Sequence, residues 1–254
     1  MNGNSGDAEW FRTFSPAPDA AVRLLCLPHA GGSASFYYPV ARALSPSVEV
    51  LAAQYPGRQD RHLEPLIEDI PTLADRITEE LSAYRDKPLA LFGHSMGAVT
   101  GFEVAQRLEA QGRQPVELFV SGRRAPSTVR SSERWWHLAS DSELVAEIKS
   151  HDVAGNELLD DPEVRAMLLP TIRGDYRAVE THVSRPGASV RCPVTAFTGD
   201  SDPKVTVEEA LAWKGHTTGA FHAEVFTGGH FFLSDHQDAI LRTVSARLAS
   251  LIGV

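Results

Sequence analysis

The sequence predicts an α/β fold: a mostly parallel central sheet with helices on both faces. Three observations point there. Short apolar runs alternate with stretches of helical spacing along most of the chain. The pentapeptide Gly93-His94-Ser95-Met96-Gly97 lies where one apolar run gives way to a helical pattern, which is the place of a tight strand-to-helix turn. The chain has 254 residues, 43% of them apolar, which suffices for one domain with a sizeable core.

Taken in order, residues 1 to about 20 form a loose lead-in, polar and glycine-rich at its start. Strands are expected at 22–27, 48–54, 89–92, 116–121, 193–198 and 223–226, each a short apolar run. Helical spacing fills the intervals at 36–44, 70–84, 98–111 and 205–214, and 235–251 reads as a closing helix. From about 127 to 190 the rhythm breaks. Helical patterns at 140–150 and 161–182 are joined by polar turns, with no convincing strand. The expected organisation is one domain over 1–254 with a helical lid inserted at about 127–190. Extra packing helices without a gating role are the alternative for that stretch.

Composition excludes several classes. A formal net charge of -9 argues against general nucleic-acid binding, which needs a basic footprint. An acidic protein partner would have to dock on a local basic patch. No run approaches the roughly 18 apolar residues that span a bilayer, so no membrane partner is expected. The N-terminal residues lack a basic-then-apolar signal pattern, so the expected location is cytoplasmic. Cys26 and Cys192 lie in apolar runs and read as buried, reduced thiols without metal-ligand spacing. Neither a metal nor a cofactor is expected, and the chain is expected to be a monomer.

The chemistry centres on Ser95. Glycines two residues to either side remove side chains that would clash in so tight a turn, and the serine hydroxyl then stands clear of the sheet. A serine hydroxyl needs a general base within hydrogen-bond reach, and the base needs a third group to orient it. In this architecture the chain order is Ser, then Asp or Glu, then His. The base candidate is His230, in Gly228-Gly229-His230-Phe231-Phe232 between the last strand and the last helix. Of the ten histidines, most, among them His62, His137 and His216, read as solvated surface residues. The acid lies in Gly199-Asp200-Ser201-Asp202-Pro203. In many α/β-hydrolases the acid follows such a glycine by three residues, which selects Asp202. Asp200 remains the competitor, with turn or helix capping as its other role. The position one strand earlier reads Gly122-Arg123-Arg124 and holds no carboxylate.

Acyl transfer also needs donors for an oxyanion, usually two backbone N–H groups. Met96 should supply one, and Ala30, in Pro28-His29-Ala30-Gly31-Gly32, the other. That glycine-rich loop lacks the lysine and the spacing of a nucleotide cradle. His29 either lines the site or bonds within its loop. Phe36, Tyr37, Met96, Trp135 and Trp136 are candidates to line an acyl channel, with core packing as the alternative for each.

Several segments together carry a resemblance. They are 27–32 (Leu-Pro-His-Ala-Gly-Gly), 54–61 (Gln-Tyr-Pro-Gly-Arg-Gln-Asp-Arg), the elbow at 93–97, 120–126 (Val-Ser-Gly-Arg-Arg-Ala-Pro), 199–203 and 228–232. The chain, from about Trp10 to the last helix, resembles the stand-alone type II thioesterases of modular polyketide and nonribosomal peptide synthases. The resemblance implies an α/β-hydrolase fold and an editing hydrolase. Such an enzyme removes stalled or wrong acyl groups from the phosphopantetheine arm of acyl or peptidyl carrier proteins. It implies Ser95 as nucleophile, His230 as base, Asp202 as acid, Ala30 and Met96 as oxyanion donors, and a lid within about 127–190. Arg123 and Arg124 are expected to meet the arm's phosphate or an acidic carrier surface, with surface ion pairing as the alternative. Competing functions on the same scaffold are a small-molecule carboxylesterase, a product-releasing cyclase and a non-catalytic binding module.

Overall fold

The computed structural model describes residues 10–128, 130, 134–151 and 156–252. The start of the expected lead-in (1–9), parts of the expected lid (129, 131–133 and 152–155) and 253–254 lie outside the described residues. Seven strands form one sheet in the order β1-β3-β2-β4-β5-β6-β7. They are β1 (Phe11–Arg12), β2 (Val22–Leu27), β3 (Val48–Ala53), β4 (Leu89–His94), β5 (Leu118–Ser121), β6 (Val194–Gly199) and β7 (Phe221–Phe226). All neighbours pair in parallel except β1, which runs antiparallel to β3.

The helices are α1 (Tyr38–Leu44), α2 (Ile70–Glu80), α3 (Met96–Ala110), α4 (Asp141–Lys149), α5 (Pro162–Thr181), α6 (Val207–Leu211), α7 (Phe232–Asp235) and α8 (Gln237–Ile252). Both faces of the sheet are covered, so its inner strands β2, β4, β5 and β6 are buried along their whole length and mostly apolar. Alternate residues feed opposite cores. Leu25, Leu27, Leu89 and Leu91 pack with Leu73 of α2 and Phe102 of α3. Leu24, Cys26, Ala90 and Phe92 pack with Ala41 of α1 and Val244 of α8. Cys26 and Cys192 are buried free thiols, and burial pushes both well above the usual thiol range.

The lead-in is not loose from Trp10 onward. Trp10 and Phe11 are buried, and Arg61 lies over the Trp10 ring. Two residues of strand are too short to leave a periodic signal. Capping sets other helix boundaries. Asp69 caps α2, and Asp161 caps α5 by accepting from the N–H groups of Glu163 and Val164. Ser140 and Glu143 form a reciprocal capping box that starts α4. The expected helix at 205–214 is shorter, α6 passing into a 3-10 turn at Ala212–His216. Among the described residues no strand lies between β5 and β6, and α4 and α5 occupy that stretch around a small core of Leu144, Leu169 and Ile172.

The chain steps from β2 out to β3 and returns to the other side of β2 at β4. The loops after β2 and β4 therefore leave in opposite directions and open a crevice at the carboxyl ends of the strands, where α/β sheets bind ligands.

Candidate active site

Ser95 occupies the turn between β4 and α3 with φ 54° and ψ -114°. Such a backbone is strained for a residue with a side chain and persists only where surroundings enforce it. The enforcement is visible at the flanking glycines. A Cβ on Gly97 would fall 2.0 Å from the carbonyl oxygen of Leu27, and one on Gly93 would fall 2.0 Å from that of Gly97. The Ser95 N–H donates to the Ser121 carbonyl at 2.8 Å, which fixes the turn against β5.

His230 reaches this serine from the loop after β7. Its Nδ1–H donates to Asp202 Oδ2 at 2.8 Å, so Nε2 is left to accept the Ser95 hydroxyl at 3.1 Å. The Asp202 side chain is fully buried, and its Oδ1 accepts the Lys204 N–H at 2.8 Å. Burial lowers the His230 pKa below the usual histidine value, opposed in part by the bond to Asp202. The imidazole is therefore neutral at neutral pH and competent to take a proton.

Asp200 stands elsewhere. Its Oδ1 accepts the Ser201 hydroxyl at 2.8 Å and the Gly228 N–H at 3.0 Å, which hold its carboxyl below the usual range. The Ser201 N–H in turn donates to the Gly228 carbonyl at 3.0 Å. Asp200 thus fastens the loop after β6 to the loop that carries His230.

The cleft above Ser95 is floored by His29, Ala30, Gly122 and Phe231 and roofed by residues of the stretch between β5 and β6, among them Trp136, Leu159, Leu168 and Ile172. Met96 heads α3, where the first N–H groups have no partner in their own helix. Its side chain belongs to the core rather than the cleft. His29 lines the cleft, packed edge-on against Phe36 and Phe231, and burial lowers its pKa to about 3. His94 is buried behind it, bonded to Ser121 Oγ at 3.0 Å and likewise held well below the usual histidine value by burial.

Other candidates are redistributed. Phe36 borders a separate apolar cavity between α1 and α8, not the cleft. Tyr37 is a core residue whose hydroxyl donates to the Leu27 carbonyl. Trp136 faces the cleft, whereas Trp135 borders an adjoining groove. Arg123 and Arg124 line both the cleft and that groove, which also holds Arg130 and Arg134. His62 is exposed, but His216 is buried and bonded to the Ala188 carbonyl, and His137 is held by Glu180. Both polar partners are distant in sequence, so local hydrophilicity misleads there.

One group escaped the sequence reading. Asp175, on α5, is buried against the loop after β2, where it meets Arg58 and the Gly31 N–H. A single aspartate in a helical pattern gives no signal of burial.

No described helix is long and apolar enough to cross a membrane, and no group of three or more metal-binding side chains occurs among the described residues. A family model described as Thioesterase domain matches residues 22–248. A curated relative, "Probable cadicidin biosynthesis thioesterase" of Streptomyces griseus, is 49% identical over 241 residues, covering 95% of this chain and 66% of its own length. Thioesterase PikA5 of Streptomyces venezuelae is 44% identical over 241 residues, covering 94% of this chain and 85% of its own. Among solved structures, the type II thioesterase BorB from the borrelidin biosynthetic cluster superposes with a TM-score of 0.88 at 51% identity, over 96% of this chain and 100% of that one.

Proposed function

The chain belongs to the thioesterase domain family, and from that premise we propose that it is a serine thioesterase of polyketide or nonribosomal peptide biosynthesis. It hydrolyses stalled or aberrant acyl groups from the phosphopantetheine arm of acyl or peptidyl carrier proteins, acting as a cytoplasmic monomer. The observation that supports this most is the hydrogen-bonded series from Ser95 through His230 to Asp202, opening on a cleft with an apolar roof. BorB and PikA5, by their names, are thioesterases, the former of type II from a biosynthetic cluster.

The proposed steps use the groups gathered around Ser95. His230 Nε2 takes the hydroxyl proton as Ser95 Oγ attacks the thioester carbonyl. The N–H groups of Ala30 and Met96 receive the oxyanion. The carrier thiolate leaves with the proton returned by His230, and an acyl-Ser95 ester remains. His230 then draws a proton from water, which attacks the ester, and the free acid departs. Asp202 holds the imidazole in its productive tautomer and stabilises the imidazolium. The arm enters past Arg123 and Arg124, which meet its phosphate or the carrier's acidic surface. α4 and α5 form the lid of a single domain.

The test is Ser95→Ala on an acyl-carrier thioester with free-acid release measured. Turnover is expected to fall by about 10^3-fold or more, and undiminished turnover ends the serine mechanism. Lactone in place of free acid would instead mark a cyclase. Reversing the charge at Arg123 and Arg124 should depress turnover of carrier-bound thioesters by about tenfold and spare small thioesters. Equal effects on both would remove the docking role.

A further inference from the structure

The Gln-Tyr-Pro-Gly-Arg segment that marks this chain lies outside the series of Ser95, His230 and Asp202, yet its side chains converge on the loop that carries Ala30. Gln54 is fully buried. Its Oε1 accepts the Ala34 N–H at 2.9 Å, and its Nε2 donates to the Arg58 carbonyl at 3.1 Å. Arg58, itself buried, donates from Nη1 to the Gly32 carbonyl at 3.0 Å. The same guanidinium grips Asp175 of α5 with both nitrogens, at 2.9 and 2.8 Å. Asp175 Oδ2 then accepts the N–H of Gly31 at 2.7 Å. One carboxylate and one guanidinium thereby hold the Gly31 N–H and the Gly32 carbonyl, on either side of the Gly31–Gly32 peptide, in the residues directly after Ala30.

This arrangement has a physical consequence. Two charges removed from water are retained at a cost, and a two-pronged guanidinium–carboxylate contact tolerates little change of distance or plane. It joins the loop after β2 to a helix of the roof, and Thr171 of the same helix adds a bond to the Gly57 carbonyl at 2.8 Å. The peptide between Ala30 and Gly31 cannot rotate without breaking the bond to Asp175. The Ala30 N–H belongs to the peptide before it. Its direction is thus tied to the seating of α5.

We propose that Arg58 and Asp175 are positioning residues, whose ion pair seats α5 on the loop after β2 and completes the oxyanion site only while that helix is in place. The proposal rests on Ser95 as nucleophile and Ala30 as oxyanion donor. It couples roof and chemistry: displacement of α5 switches off acylation even though Ser95, His230 and Asp202 stay aligned.

The experiment compares Asp175→Asn and Arg58→Lys with the parent full-length chain on a small acyl thioester. It adds the inhibition constant of a trifluoromethyl ketone bearing the same acyl chain, whose hemiketal oxygen occupies the oxyanion site. Losing the alignment of one oxyanion donor costs about 10^2–10^3-fold in kcat. Expected for both variants are a kcat loss of about that size, a KM within about threefold, and an inhibition constant raised in step with the loss of kcat/KM. A merely structural role would lower the concentration of active protein and leave the inhibition constant unmoved. That result overturns the proposal. Arg58→Lys keeps the buried charge balance but loses the fork, so it carries the test if Asp175→Asn folds poorly. Ser95→Ala run alongside separates the two readings. A dead Ser95→Ala beside an unchanged inhibition constant sinks only the clamp, and a fully active Ser95→Ala sinks the serine mechanism itself.

Discussion

Gly97, in the turn that carries Ser95, leaves no room for a methyl group, whereas Met167 and Leu158, on the outer side of the helical stretch between β5 and β6, are 66% and 55% exposed. The floor is sheet. Its turn at Ser95 is pressed on the end of β2, and the Asp202 carboxylate is sealed from water. The roof is two helices and their connections around a core of three buried side chains, Leu144, Leu169 and Ile172. Their neighbours Leu168 and Leu159 face the cleft. Proton transfer requires atoms held within a few tenths of an ångström, and only the packed sheet ends supply that. Accepting acyl chains of different shape requires a surface that yields, and a small core yields more readily. Under the proposed function, the difference would give chemistry to the floor and selection to the roof.

The sharpest way to break that division is at the two aspartates. Asp202→Asn is expected to lower kcat by about 10^4-fold, because the amide favours the wrong imidazole tautomer. Asp200→Asn, which disturbs only the pinning of a loop, should stay within about tenfold. Steady-state kinetics on one small thioester decides, and a larger loss at Asp200 would reverse the roles.

A second test uses pH. Burial holds His230 below the usual histidine value, so its proton-accepting form dominates at neutrality. The plot of kcat/KM against pH should be flat near neutrality and fall about tenfold per pH unit only below the usual histidine range. An acid limb centred above pH 7 would contradict the buried floor. The same burial has a stability consequence. His29, His94 and His230 all have lowered pKa values in the folded chain. Below the ordinary histidine value the unfolded chain binds more protons, so stability must decline as pH falls through that window. Thermal melts between pH 7 and 5 measure it.

The smallest effect is expected in the roof. Leu168→Ala should raise KM for long acyl thioesters by about three- to tenfold, roughly the value of a few lost apolar contacts. Turnover of the shortest acyl thioester should remain within about twofold. Loss on short and long substrates alike would mean that the roof does more than select.

How much of this the sequence discloses depends on the range of the interaction. β2, β3, β4 and β6 are mostly apolar, with isolated polar residues such as Arg23 and Glu49, so their positions can be read locally. β1 has two residues and is stabilised only by pairing with β3. Ser95, Asp202 and His230 are legible through chain order and the motifs around them, since their placement follows from strand ends. Asp200 and Asp202 could not be separated by burial in advance, because both belong to one short polar loop. Asp175 is invisible for a different reason. Its partners, Arg58 and the Gly31 N–H, come from segments that meet α5 only in the folded chain. The buried His216 is misread on the same ground, its partners Ala188 and Ser127 being remote.

The fastening of the loop after β6 to the loop after β7 bears on how the molecule wears out. β7 is the outermost strand of the sheet and is only partly covered. His230 hangs from it, and the bonds through Asp200 and Gly228 bind the loop of Asp202 to the same margin. Fraying at that margin would carry off Asp202 and His230 as one unit while the turn of Ser95 stayed folded. Heat inactivation would then precede the main melting transition, and resistance to ageing would be won by reinforcing a border strand rather than the interior.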